Sequence, residues 1–127
     1  MGLAANQARL NLLTARKADL EYRLTTLSNN LQEIAVKEAN AIAEKSRAYQ
    51  EFVNQIATKE NDQVVRFETT QAYIDYENEM AMLEVADNQL TQQQKKAETE
   101  HQAVVAEEEE IQKLVDNNIK NTFKLFQ

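Results

Sequence analysis

Apolar residues recur at alternating steps of three and four through the first third of the chain, and this row most constrains the fold. Lys17 is its single interruption, and its members are Leu10, Leu13, Leu20, Leu24, Leu27, Leu31 and Ile34. Such spacing places side chains on one narrow stripe of an α-helix. Because one helix cannot bury its own stripe, the pattern predicts a partner helix.

Glycine and proline, the usual markers of loops, are almost missing. The chain of 127 residues has no proline and a single glycine, Gly2. Ordinary domains contain roughly 7% glycine and 5% proline. We therefore predict an all-α fold of long, uninterrupted helices, and the length predicts one domain over residues 1–127.

The first helix is predicted over about residues 4–59. Ser28, Asn29 and Asn30 form a turn-like tripeptide, and a fresh helix start there is the alternative. The stripe keeps its phase through this point, which favours one continuous helix. After Ile34 the pattern predicts a one-residue offset of the stripe, onto Ala35, Ile42, Tyr49 and Ile56.

A second helix is predicted over about residues 64–125, after a turn at about 60–63 that contains Asn61 and Asp62. Its stripe repeats every seven residues: Tyr76, Leu83, Leu90, Ala97, Val104 and Ile111. The alternate row is polar between Asp87 and Gln102, so a break near residues 87–91 is the rival interpretation.

Two such helices, joined by this turn, are predicted to pack together as a long antiparallel helical hairpin, or coiled coil. Apolar residues at both ends exceed what two helices can cover, which predicts assembly into an oligomeric bundle or filament. The predicted interface comprises Leu3, Leu10, Leu13, Leu20, Leu24, Leu27, Leu31, Ile111, Leu114, Val115, Ile119, Phe123 and Phe126.

Charge is distributed unevenly along this acidic chain. The net charge of −7 lies wholly in residues 64–127, whereas residues 1–23 and 113–127 are each basic, at +2. An acidic chain of this kind is not expected to bind nucleic acid through phosphate contacts. The chain has no run of about 20 apolar residues, so membrane insertion is not predicted. We expect a soluble chain without a cleaved signal peptide, either cytoplasmic or exported by a signal-less route.

Residues that could carry chemistry are few. Glu98 and His101 have the Glu-x-x-His spacing of di-iron helical bundles, but the chain has only this one histidine. Four carboxylates at 107–110 encircle a helix and are interpreted as a solvated stretch. Four tyrosines near the stripes are interpreted as packing residues: Tyr22, Tyr49, Tyr73 and Tyr76. We therefore predict no catalytic residue, metal site or cofactor, and no enzyme activity.

Two short segments resemble the N-terminal helix of flagellar rod and hook-type axial proteins. These segments are the stretch from Gly2 to Asn11, GLAANQARLN, and the stretch from Leu27 to Leu31, LSNNL. The family pattern has Ala-Asn-Val-Asn-Thr next, where this chain has Gln32 to Val36. The resemblance implies a bacterial protein, export through a type III-like channel and pairing of terminal helices into a tube. The opening is also similar to uncharacterised helical proteins of gut-associated bacteria.

Two functions follow as hypotheses. The first is a structural protein that self-assembles through its terminal helices into a filament or tube. The second is a small coiled-coil adapter or secretion chaperone that binds a helix of another protein.

Overall fold

The computed structural model describes residues 2–58 and 66–125, and all but a few of these are helical. Helix α1 spans Leu3–Thr58 and helix α2 spans Gln71–Leu125, with a single 3-10 turn, Phe67–Thr69, before α2. The described ranges contain no strand. The predicted all-α fold is confirmed, and two long helices form it.

Neither helix breaks where turn-like residues occur. Helix α1 continues through Ser28, Asn29 and Asn30, and α2 continues through residues 87–91. The stripe of α1 keeps its phase across the first point, so burial on one face outweighs the preference of asparagine for turns. The turn predicted at about 60–63 lies outside the described residues.

The described chain divides into two compact units. Unit 1 consists of Met1–Ser28 and Gln92–Gln127, and unit 2 consists of Asn29–Thr91. Each unit contains one part of α1 and one part of α2 packed against each other. The expectation of a single domain over residues 1–127 stays a prediction.

In unit 1 the two helical segments run in opposite directions. Lys17 contacts Glu108, and farther along α1 Glu21 contacts His101, so residue numbers rise on one helix as they fall on the other. The buried core between them is a ladder of aliphatic side chains: Leu13, Leu20, Val104, Ile111 and Val115. Residues seven apart recur in this ladder, as expected for coiled-coil packing.

The predicted offset of the α1 stripe in unit 2 is wrong. Ala41 is buried and Ala48 is half-buried, whereas Ile42 and Tyr49 are exposed. The buried row therefore continues from Ile34 at steps of seven without a shift. Alanine side chains leave little between the two helix backbones. The larger residues at the neighbouring positions lie outside the buried row, where both Ile42 and Tyr49 are about half exposed.

The second helix begins later than predicted. Residues 66–70 are not α-helical, and α2 begins at Gln71 instead of near residue 64. Thr70 has an extended backbone and caps the helix, since its hydroxyl oxygen accepts a 3.4 Å hydrogen bond from the Tyr73 N–H. The turn before it is closed by the Thr69 N–H, which donates to the Arg66 carbonyl at 3.1 Å.

Across the described ranges, neither helix contains a stretch that is long and apolar enough to cross a membrane.

Candidate functional site

Most residues of the predicted interface lie in the cores of the two units. Leu13, Leu20, Ile111 and Val115 form the buried ladder of unit 1, and Leu3 and Leu10 pack against it. Leu27 is buried, and Leu24 and Leu31 are half-buried. Their apolar surface is thus largely covered within one chain.

Three of the remaining predicted residues are exposed and lie in the last turns of α2. Leu114 and Ile119 are about half exposed, and Phe123 is 66% exposed. Leu125, which was not in the predicted set, is 85% exposed. Phe126 lies outside the described residues. These exposed residues, Leu114, Ile119, Phe123 and Leu125, form the candidate site and are called the terminal cluster below. Ile119 and Phe123 share one face of α2, and Leu114 and Leu125 lie on the other side of the helix.

Lysine side chains lie beside the terminal cluster. Lys120 and Lys124 follow Ile119 and Phe123 by one residue each, so the two lysines form a row about 100° around the helix from the two apolar side chains. Lys113 lies about two turns earlier on α2 and is also exposed. The end of α2 is therefore both apolar and basic.

A polar contact joins the helices next to the buried ladder of unit 1. The Lys17 ammonium donates to Glu108 Oε1 at 3.0 Å, and the Thr14 hydroxyl donates to Glu108 Oε2 at 3.2 Å. The hydrogen bond from Lys17 lowers the pKa of the Glu108 carboxyl below its usual 4.5, and Glu108 raises the pKa of Lys17 above 10.5. One of the four consecutive carboxylates at 107–110 is thus a helix-pairing residue.

The Lys17–Glu108 pair predicts a pH-dependent contribution to stability. Since the pKa of Glu108 is lower in the folded chain, its contribution is complete above pH 4.5 and is lost as pH falls through the folded pKa. The raised pKa of Lys17 keeps the contribution below pH 10.5. We expect Glu108→Gln to lower the free energy of unfolding at neutral pH and to have little effect in acid.

Urea unfolding of both proteins from acid to neutral pH measures this difference. Glu109→Gln, at the adjacent exposed position, is the matched control and should leave the pH profile unchanged. An equal loss for Glu108→Gln in acid and at neutral pH would show that the ion pair does not cause it.

His101 takes part in a contact between helices. Its Nε2 atom lies 3.1 Å from Glu21 Oε1, and the ring is partly exposed. Within the two described ranges, no three histidine, cysteine or acidic side chains come together as a metal site would need. Glu98 and His101 therefore do not belong to such a group among the described residues.

Two asparagines occupy the seam of unit 1 near the chain ends. Asn6 is buried, and its Oδ1 atom accepts no hydrogen bond from the described chain; the Nδ2 atom of Asn118 is likewise buried and unpaired there. The register that joins Lys17 to Glu108 brings Asn6 level with Asn118. Buried amides in a helical seam disfavour other registers at some cost in stability.

In unit 2 an aromatic cluster replaces the aliphatic ladder. Phe67 is buried, and its ring centre lies 5.3 to 5.6 Å from those of three rings: Tyr49, Phe52 and Tyr73. The Lys45 ammonium lies 4.6 Å from the centre of the Tyr76 ring. Three of the four tyrosines pack as predicted. The prediction is wrong for Tyr22, whose side chain is exposed.

Unit 2 has an exposed apolar patch that is absent from the interface predicted from sequence. Met82 is 73% exposed and Val85 is also exposed, and both lie outside the seven-residue row of Tyr76, Leu83 and Leu90. Their position outside that row is the sequence feature that indicates exposure. Large apolar residues out of phase with the buried stripe must face solvent in a two-helix pair.

No protein-family model, curated protein or solved structure matches this chain.

Proposed function

We propose that this chain is a non-enzymatic structural protein whose copies associate through their terminal helical segments, as subunits of a filament or tube. The observation that supports this most is the terminal cluster. From Ile119 onward, every apolar side chain of α2 in the described chain is exposed: Ile119, Phe123 and Leu125. A helix end that is surrounded by water does not require large apolar side chains.

Burial of these side chains in a contact would supply a substantial driving force. Removing a large apolar side chain from water contributes about 1.5 to 3 kcal/mol. Ile119 and Phe123 lie one helical turn apart and so present one continuous surface. Every copy of the chain carries this surface. A higher protein concentration therefore raises the concentration of binding surfaces and favours association.

The resemblance of Gly2–Asn11 to axial proteins supports the same proposal, since those proteins pair terminal helices in a tube. In the present chain, the start of α1 and the end of α2 belong to the same compact unit. The terminal cluster therefore projects from a folded helix pair.

Electron microscopy and light scattering of concentrated protein test the proposal. We expect the unmodified chain to form elongated particles, and Ile119→Asp/Phe123→Asp to reduce the associated fraction at least tenfold, because two carboxylates would have to be buried. Tyr22→Asp/Val36→Asp, at two other exposed apolar positions, is the matched control and should assemble normally.

Other results would contradict parts of the proposal. Closed oligomers of one small size in every salt and pH condition would exclude a filament. A chain that stays monomeric, and purifies instead with one stoichiometric foreign partner, would favour the adapter or chaperone hypothesis.

A further inference from the structure

One stretch of α2 in unit 2 carries acidic residues and no basic ones. Between Gln71 and Thr91 there are five carboxylates, Asp75, Glu77, Glu79, Glu84 and Asp87, and no lysine or arginine. Most are exposed, so these carboxylates present negative charge to solvent over about four helical turns. In unit 1, residues 97–112 of α2 also contain carboxylates and no lysine or arginine. The acidic stretch of unit 2 differs because it also carries large exposed apolar side chains.

The exposed apolar patch lies within this acidic segment. Asp75, Glu79 and Met82 follow one another at steps of four and three, so they share one face of the helix, and Val85 and Ala86 continue it. We call these five residues the acidic face. It combines a pair of carboxylates with a pair of exposed apolar side chains, Met82 and Val85.

Small side chains open a groove beside the acidic face. Ala41, Ala48 and Ala72 line it together with Asp75 and Glu79, and Glu44 adds a third carboxylate from α1. Lys45 also lines the groove, and its ammonium is drawn over the Tyr76 ring. An incoming helix would therefore meet little steric obstruction and mainly negative charge.

The terminal cluster has the complementary chemistry. It offers two exposed apolar side chains, Ile119 and Phe123, next to two lysines, Lys120 and Lys124. Each surface pairs two apolar side chains with two like charges, and the signs are opposite. This complementarity identifies the occupant of the acidic face as a second copy of the chain.

We infer that the lysines and apolar residues at the end of α2 of one copy bind the acidic face of the next. The inference rests on the proposed function and adds the surface that receives the terminal cluster. The contact joins two different surfaces, so a pair of bound copies still has one free terminal cluster and one free acidic face. Repetition of a contact of this kind gives either a ring or an open filament.

Charge reversal of full-length chains tests this contact. One variant carries Asp75→Lys/Glu79→Lys and the other carries Lys120→Glu/Lys124→Glu. At low ionic strength, where exposed charges are least screened, we expect each variant alone to associate at least about tenfold more weakly than the unmodified chain. Glu98→Lys/Glu109→Lys, which adds the same charge at exposed positions elsewhere on α2, is the control and should associate normally.

Mixing the two variants gives the decisive result. The charge-reversed end of α2 in one variant is then opposite in sign to the charge-reversed acidic face of the other. The unreversed end of α2 and the unreversed acidic face also have opposite signs, so the equimolar mixture should regain association. Circular dichroism of each variant shows whether both helices are kept. Restoration on mixing cannot come from misfolded chains.

Different experimental results would contradict the proposed contact and the proposed function. If the unmodified chain associates but Asp75→Lys/Glu79→Lys associates equally well, the acidic face is not the receiving surface and self-assembly stands. Loss in both variants without recovery on mixing would also overturn the pairing. An unmodified chain that remains monomeric at every concentration would overturn both proposals.

Discussion

Replacing Leu20 by alanine is expected to lower the free energy of unfolding by about 3 kcal/mol. Leu20 is only 2% exposed, and it packs in the buried ladder of unit 1. The substitution removes apolar contact and leaves a cavity that two stiff helices cannot close fully. Because the ladder has few members, each contributes a large share of the stability of unit 1.

Urea unfolding followed by circular dichroism measures this loss, at a protein concentration below the onset of association. Leu12→Ala is the matched control, since Leu12 has the same side chain but is 73% exposed on the same helix. We expect its effect to stay within about 0.5 kcal/mol. Equal losses for the two variants would contradict the assignment of the buried face of α1.

Replacing Phe67 by alanine is expected to cost about 3 to 4 kcal/mol in unit 2. Phe67 is the centre of the aromatic cluster, with Tyr49 edge-on at 5.3 Å and Tyr73 at 5.6 Å. Edge-to-face contacts of this kind add stability beyond the buried area. The ring also fixes the turn that leads into α2, so its loss should loosen the start of that helix.

The same unfolding measurement with Phe123→Ala provides the control. Phe123 is exposed in the folded chain, so its removal should leave the stability of the monomer almost unchanged while weakening association. A Phe67→Ala variant as stable as the unmodified chain would show that the aromatic cluster does not hold unit 2 together.

The predictable part of the fold is the part governed by repetition. Leu13, Leu20 and Leu27 are buried seven residues apart, as are Ala97, Val104 and Ile111 on α2. Their spacing alone identifies the buried faces, because a helix pair has only one seam to cover. The near-absence of glycine and proline likewise predicts long helices, and the two helices have 56 and 55 residues.

The errors arose where side-chain size and periodicity disagree. From Ile34 onward, the larger residues Ile42 and Tyr49 suggested a shifted stripe, but the alanines keep the buried row. Size indicates burial only if the distance between helices is known, and that distance depends on the partner residues. The start of α2 is unpredictable for a related reason, since no sequence pattern around Phe67 indicates that its side chain is buried in a turn.

The candidate site was only partly predictable. Heptad analysis cannot separate apolar residues that pair within one chain from those left for a second, so Ile111 and Phe123 entered the same predicted interface. The structure separates them, with Ile111 buried and Phe123 exposed. It also reveals Met82 and Val85, which fall outside the seam and which a search for stripes passes over.

Sedimentation velocity of the unmodified chain over a concentration series at low ionic strength tests self-association most directly. The terminal cluster and its lysines predict a mean mass that rises with concentration past the dimer without a plateau, and that falls when salt is added. A single species of 14.6 kDa at every concentration would contradict the account.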